Sequence, residues 1–468
     1  MAPYKRSLSE GGLSTAAWKV LSQTLPPRNP DADAWWQLTG RHLAVLLDAA
    51  AYPIERQYEC LLYHYHYATP YIGPAPGESG FTPKWKSKLQ LDGTPFEFSW
   101  KWNNPDGEPE VRIGLEPIGP MAGTALDPLN HATTREVLHK LCSAVPGADL
   151  TWTHHFLATL FDHDYAKYTA EASQRTPIGT SLTLSLEFLR NSTAVKTYFQ
   201  PRMLDQDGFL EIRRWESSFQ RLHPNAAPRI ALHEFLNINP EGKLLKPFCL
   251  SVDNCAPSQA RIKWYFISPH TNFNAIREIM TLGSRIPTTE PRDKQFSELF
   301  DILKSLTSQP TSFPESSEFP SSPASTPTTD SPRPDPFSAT PDILKGLVYF
   351  FDISPTQASL PRIKLYFPIR NHCANDLIAT QNLNAWLDSR GRGQYGSAFL
   401  RSLEAIADYR RLDEGGGLLS FLSCQFGDDG GLDLTSYFNP QAFAAGRAEG
   451  IENGKGMGRR GVRRRGDW

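Results

Sequence analysis

The chain has 468 residues, with 48 Lys and Arg against 50 Asp and Glu and a formal net charge of −2. That balance excludes a strong global field drawing it to nucleic acid or to an anionic membrane. Its apolar runs are far shorter than a bilayer span, and "MAPYKRSLSEGG" lacks the apolar core of a signal peptide, so the expectation is a soluble cytoplasmic protein.

In chain order, the Trp35–Trp36 pair reads as core, and the histidines of "HYHY" (64–67) as structural. A first hairpin follows, in which "TPFEFSWKW" turns through "NNPDGEPE" into "VRIGLEPI". Apolar residues at helical spacing predict helices over 133–145 and 157–172. The "THH" at 153–155 has no carboxylate or cysteine partner at ligand spacing, and it too reads as structural. A second hairpin pairs "TSLTLSLEFL" with "AVKTYFQP", and a third pairs "KPFCLSVD" with "ARIKWYFIS". Another helix is predicted over 271–282. Residues 308–341 are dominated by Ser, Thr and Pro and read as a disordered insert. A fourth hairpin joins "KGLVYFFDIS" to "LPRIKLYFPI", a helix is predicted over 375–389, and a fifth hairpin joins "GLLSFLSCQF" to "LDLTSYFNP". Residues 446–468 form a Gly/Arg-rich tail, also read as disordered. Cys60, Cys142, Cys249, Cys255, Cys373 and Cys424 form no C-x-x-C pair and no zinc spacing, so they read as reduced and structural.

Three of the strands share Lys-x-Tyr-Phe. Lys196 precedes Lys263 by 67 residues, and Lys263 precedes Lys364 by the same interval once the 34-residue insert is removed. A fixed period implies a repeated supersecondary unit. Five hairpins separated by helices predict an α+β fold. Ten antiparallel strands close into a barrel with helices outside, so that residues 1–445 form one domain despite the length. Alternation sorts the faces. Phe96, Phe98, Trp100 and Trp102 pack under helices, while Glu97, Ser99 and Lys101 face inward. The same inward face takes Arg112, Gly114 and Glu116; Lys196, Tyr198 and Gln200; Arg261, Lys263 and Tyr265; Arg362, Lys364 and Tyr366; and Tyr437. The lumen then holds cations, tyrosines and one conspicuous carboxylate, Glu97. The strands offer too few carboxylates to compensate those cations, which points to a polyanionic ligand such as diphosphate. Tyrosine rings stabilise a cation. A pocket that holds an anion and cradles a cation suits heterolysis of an allylic diphosphate.

The segments "WWQLTGRHLAVLLDAAAYPIERQYECLLYHYHYATPYIGP", "DGTPFEFSWKW", "VRIGLEPIGPMAGTALDPLN", "VKTYFQP", "RIKWYF" and "RIKLYFP" resemble the fungal indole prenyltransferases of the dimethylallyltryptophan synthase family, from about Trp35 to about Pro440. The resemblance implies an α–β–β–α prenyltransferase barrel and metal-independent transfer from dimethylallyl diphosphate, with no cofactor. It implies a catalytic role for Glu97, diphosphate binding by Arg112, Lys196, Arg261, Lys263 and Lys364, and a carbocation shield of Tyr198, Tyr265, Tyr366 and Tyr437. Leu89 and Gly114 fall in the implied acceptor pocket. Many members carry a further tyrosine in the penultimate strand, where this chain reads "LLSFLSCQF". Members that take free tryptophan have an arginine near where this chain has Phe248. Together with Gly114, this points to a larger, less charged indole acceptor, such as a Trp-containing cyclic dipeptide or an indole alkaloid. The implied partners are small molecules only, and the implied assembly is a monomer or homodimer.

Three other readings compete. "DDGGLD" (428–433) resembles an aspartate-rich magnesium motif but reads as a hairpin turn. A non-catalytic barrel for an anionic lipid or phosphometabolite accounts for the cations but not for Glu97. A single-strand nucleic-acid platform is opposed by the net charge and the inward-facing pattern.

Overall fold

A computed structural model describes residues 15–76, 85, 87–102, 107–174, 179–201, 210–321, 346–355, 359–444 and 447. Its ten strands are β1 (Phe96–Trp102), β2 (Glu110–Leu115), β3 (Leu182–Phe188), β4 (Thr193–Phe199), β5 (Lys246–Asp253), β6 (Ile262–Ser268), β7 (Leu347–Asp352), β8 (Arg362–Phe367), β9 (Leu419–Phe426) and β10 (Leu432–Phe438). Each pairs antiparallel with its neighbours in sequence, and β10 closes on β1. The five hairpins read from the sequence are all present, and closure leaves no edge strand.

The outward faces explain why the barrel needs its helices. Phe96, Phe98, Trp100 and Trp102 are almost wholly buried. Trp100 and Trp102 meet Phe399, on the helix Gly396–Ile406, at ring distances of 5.3 and 4.8 Å. Trp264 of β6 meets Trp215 and Phe219 of the helix Ile212–Leu222 at 5.7 and 5.0 Å. Rings of this size bury large apolar areas between barrel and jacket. Asn272 and Asn375 start two of the jacket helices, Phe273–Met280 and Asp376–Asp388, by accepting from the Ala275 and Ile378 N–H groups at 2.9 and 2.8 Å. A smaller apolar cluster sits on the inner wall, built from Cys249, Tyr265, Ile267, Val348 and Phe350.

The helix expected over 157–172 is two helices, Thr151–Leu160 and Tyr165–Gln174. Asp162 breaks it: its carboxylate accepts from the Asp164 N–H at 2.9 Å, a local bond that competes with the helix backbone. The insert differs too. Residues 308–321 pack against the protein, with Phe319 only 3% exposed and Glu318 accepting from the Thr271 and Asn272 N–H groups. The remaining 322–341 lie outside the described residues, as does the tail apart from Arg447, which pairs with Asp408 at 2.6 Å. "DDGGLD" forms the β9–β10 turn, where the Gly427 N–H donates to the Gly431 carbonyl at 2.9 Å and Gly430 takes φ +84°. His64 is buried beside Thr39 at 2.8 Å, and burial pushes its pKa down to about 3. His155 reaches the Ser218 carbonyl at 3.0 Å. Among the described residues, no helix is long and apolar enough to cross a membrane, and no three His, Cys, Asp or Glu side chains gather as a metal site would require.

Candidate active site

The inward faces of the strands enclose a lumen with two chambers. At one end is a charged chamber of about 490 Å³, at the other a largely apolar one of about 190 Å³. Arg112, Glu187, Tyr198, Tyr265, Tyr366 and Tyr437 line both. The four tyrosines form a belt between them, with ring distances of 6.3 Å from Tyr198 to Tyr265, 5.9 Å from Tyr265 to Tyr366 and 5.6 Å from Tyr366 to Tyr437. Phe350 of β7 fills the belt between Tyr265 and Tyr366, at 5.5 and 6.2 Å. Burial raises the pKa of all four phenols, so they stay neutral. On β9, Ser423 lies opposite Tyr366 and Phe421 opposite Tyr437, so no tyrosine stands there.

The charged chamber collects every cation expected from the sequence: Arg112, Lys196, Arg261, Lys263 and Lys364, with Lys101 and Arg362 beside them. The expectation that carboxylates are too few is wrong. Six acidic side chains, Glu110, Glu187, Asp253, Asp352, Asp428 and Asp433, line the same space as those seven cations. Arg112 pairs with Glu187 at 2.9 Å, and Lys196 also donates to Glu187. Lys263 and Arg261 each reach Asp253 at 2.6 Å. Lys101 lies 3.7 Å from Glu110, and the half-exposed Arg362 lies 2.6 Å from Asp428. Burial opposes the charge of Glu187, but Arg112 and Lys196 overcome it and hold that carboxyl well below the ordinary range. Burial likewise opposes the charge of Asp253, which Lys263 and Lys196 hold down. Burial pushes Lys196 down to about 8, against the pull of Glu187. Lys364 forms no ion pair among the described residues. Burial, then repulsion from Arg112, push it down to about 7.

The apolar chamber is built around Glu97. Its Oε2 accepts from the Gln90 side chain at 2.9 Å. Gly114 stands opposite in register, and a Cβ there would lie 3.7 Å from Glu97 Oε1, in the space beside the carboxylate. Leu89, Ser99, Gln200 and Phe248 line this chamber. Burial pushes Glu97 up to about 7, opposed by the Gln90 hydrogen bond and then by the charge of Arg370. Arg370 belongs to the short helix Ile369–His372 after β8 and sits 4.8 Å over the ring of Phe421, a chamber residue. Its Nε and Nη2 have no hydrogen-bond partner among the described residues. The other groups around Glu97 are the Tyr437 phenol and, on the same chamber wall, Lys88 and Arg112. Glu116 does not join the lumen. Past the end of β2, it accepts from Trp85 at 2.7 Å and Thr180 at 2.5 Å and lines neither chamber.

Sequence reading missed Glu187, Asp253, Asp352, Gln90, Phe350 and Arg370. Glu187 was within reach: in "LTLSLEF" it alternates with buried leucines just as Thr183 and Ser185 do. Asp253 and Asp352 fall at strand ends, where they look like turn residues. Arg370 sits in a four-residue helix that carries no periodic signal.

Residues 31–402 match the model of the tryptophan dimethylallyltransferase family. The chain belongs to that family. Its relatives include xanthone prenyltransferase B of Emericella nidulans, 71% identical over all of this chain and 98% of the relative. The prenyltransferase anuH of Penicillium roqueforti is 46% identical over 92% of this chain and 94% of its own. Xanthone prenyltransferase A of Emericella nidulans is 39% identical over 90% and 95%. Among solved structures, AnaPT from Neosartorya fischeri superposes with a TM-score of 0.72 at 21% identity, over 91% of this chain and 98% of that one. NotF, solved in complex with brevianamide F and DMSPP, gives 0.71 at 20%, over 92% and 99%. These neighbours share the fold. Membership of the tryptophan dimethylallyltransferase family makes the chain an aromatic prenyltransferase, and the carrier and nucleic-acid readings fall away.

Proposed function

We propose that this prenyltransferase moves a dimethylallyl group from dimethylallyl diphosphate to a carbon of a hydroxylated polycyclic aromatic acceptor of the xanthone type, without a metal. The observation that carries the reading is the tyrosine belt standing between a chamber that gathers seven cations and a largely apolar chamber built around the carboxylate of Glu97. In this reading the diphosphate lies among Arg112, Lys196, Arg261, Lys263 and Lys364, and the dimethylallyl group points through the belt. Ionisation breaks the C–O bond, and the bonding electrons leave with the diphosphate. The cations stabilise that developing charge in a site screened from water. Neutral phenol rings of Tyr198, Tyr265, Tyr366 and Tyr437, with Phe350, stabilise the allylic cation and exclude water that would quench it.

Glu97 lies on the acceptor side of the belt. With a pKa near neutrality it accepts a proton from a phenolic hydroxyl, and the resulting oxyanion makes the ring carbons ortho and para to it nucleophilic. One of them bonds to the cation, and loss of its C–H proton to a base restores the aromatic ring. The apolar walls, with Phe248 and Gly114, suit a flat acceptor that carries no amino-acid carboxylate. The name of the relative at 71% identity supports a xanthone-type acceptor over the indole expected from the sequence. Indole remains the second reading, because NotF was solved with brevianamide F, at only 20% identity.

The test is incubation with dimethylallyl diphosphate and a panel of hydroxyxanthones, cyclic dipeptides and tryptophan, with and without EDTA, read by mass spectrometry. Prenylation of hydroxyxanthones with EDTA present supports the proposal. Prenylation of the indoles alone moves the acceptor to the second reading. Abolition by EDTA with rescue by magnesium overturns metal independence.

A further inference from the structure

Carboxylates are unexpected in a chamber meant for a polyanion, yet two of them are paired with its cations. Glu187, on β3, lies opposite Arg112 in register, pairs with it at 2.9 Å and takes Lys196 as a second partner. Asp253, at the end of β5, holds Lys263 and Arg261 at 2.6 Å each and stands 3.7 Å from Lys196. Four of the five cations assigned to the donor are therefore held by two acids. Glu187 is only 7% exposed, so its charge is poorly screened.

Without an anion, four cations drawn together in a closed barrel repel one another and the lysines tend to lose their protons. The two carboxylates offset part of that repulsion in the empty protein. They do so with oxygen atoms set against the same N–H groups that a phosphate oxygen would engage. Once a diphosphate is in place, however, the acids lie beside an anion and repel it. Uniformly tight binding of a leaving group gains nothing for the chemical step and slows its departure. We infer that Glu187 and Asp253 are anionic placeholders, which hold the donor-binding cations in position in the empty barrel and weaken the grip on pyrophosphate after transfer. This rests on the proposed donor reading of the charged chamber.

Glu187→Gln and Asp253→Asn keep size and remove the charge. Each is expected to bind inorganic pyrophosphate at least about tenfold more tightly than the wild type in calorimetry, since a like charge within the site is gone. Product inhibition by pyrophosphate should strengthen in parallel. Steady-state turnover should fall while the single-turnover rate stays within about threefold, because release becomes limiting. Acids that merely position the cations give the opposite result: folded variants, checked by circular dichroism, would bind pyrophosphate no better than the wild type or more weakly, and the inference is overturned. Either variant alone decides if the other fails to fold. A wild-type protein that binds no pyrophosphate overturns the donor reading itself, and this inference with it.

Discussion

Glu97 is a carboxyl whose surroundings work against its charge. With its pKa near 7, the folded protein holds a proton there that the unfolded chain releases nearer the ordinary glutamate value of 4.5. Between those two values the folded state binds more protons, so this group's contribution to stability falls as pH rises through that window. Catalysis needs the ionised form. The acid limb of kcat/KM for the acceptor should therefore have an apparent pKa near 7, and Glu97→Gln should lose that limb and about 10²–10⁴ in turnover while donor affinity changes little. A pH–rate profile beside donor calorimetry checks both. Arg370 acts on the same limb through Glu97. Its charge favours the carboxylate, so Arg370→Met should shift the limb upward by about half a unit, an effect worth about 0.7 kcal/mol. Arg370→Lys, which keeps the charge, should restore it. A limb that stays in place in a folded Arg370→Met protein would make Arg370 a packing residue of Phe421 only.

The three lysines of the repeated motif occupy equivalent places on β4, β6 and β8 but differ in their partners. Glu187 and Asp253 serve Lys196 and Lys263, while Lys364 lies opposite Phe350 and Gln425. The repeat and its inward direction were legible because lysine and tyrosine alternate with buried residues at period two. The difference was not, because it depends on which residue a neighbouring strand places opposite, and register is not written in a single strand. It has a measurable consequence. Lys364 is held down near 7, so its charge fades in the neutral range. In the folded state it binds fewer protons than in the unfolded chain between about 7 and its ordinary value, so its contribution to stability rises with pH across that window. A bound diphosphate draws the proton back. Lys364→Met should therefore weaken pyrophosphate binding strongly at pH 6, and the gap to the wild type should narrow toward pH 9. Comparing the two proteins at each pH cancels the ligand's own titration. A gap that is constant with pH would show that Lys364 stays charged throughout.

At the scale of the whole molecule, five hairpins close into one barrel inside their helices, and composition alone does not show that residues 308–321, between β6 and β7, pack against it. The Ser, Thr and Pro content of 308–341 is real, but Phe313, Glu315, Glu318 and Phe319 are spaced through its first part, and these anchor it. Phe319 stacks on Phe313 at 5.2 Å and meets Phe367 edge-on at 5.5 Å, at the end of the strand that carries Lys364 and Tyr366. The Phe273 and Asn274 N–H groups donate to the Glu315 carbonyl at 2.8 and 3.1 Å, and Arg277 reaches the Glu315 side chain at 3.1 Å. Two deletions separate the parts. Removing 322–341, the stretch of disorder-prone composition, should leave melting temperature nearly unchanged and turnover within about twofold. Removing 308–341 should cost soluble protein or several degrees of melting temperature. Phe319→Ala isolates the anchor: emptying a site this buried costs about 3–5 kcal/mol, and the loss should appear in the melting temperature before it appears in donor affinity. If Phe319→Ala melts with the wild type, the first part of the segment is as dispensable as its composition suggests, and the packing on Phe367 contributes nothing to holding β8.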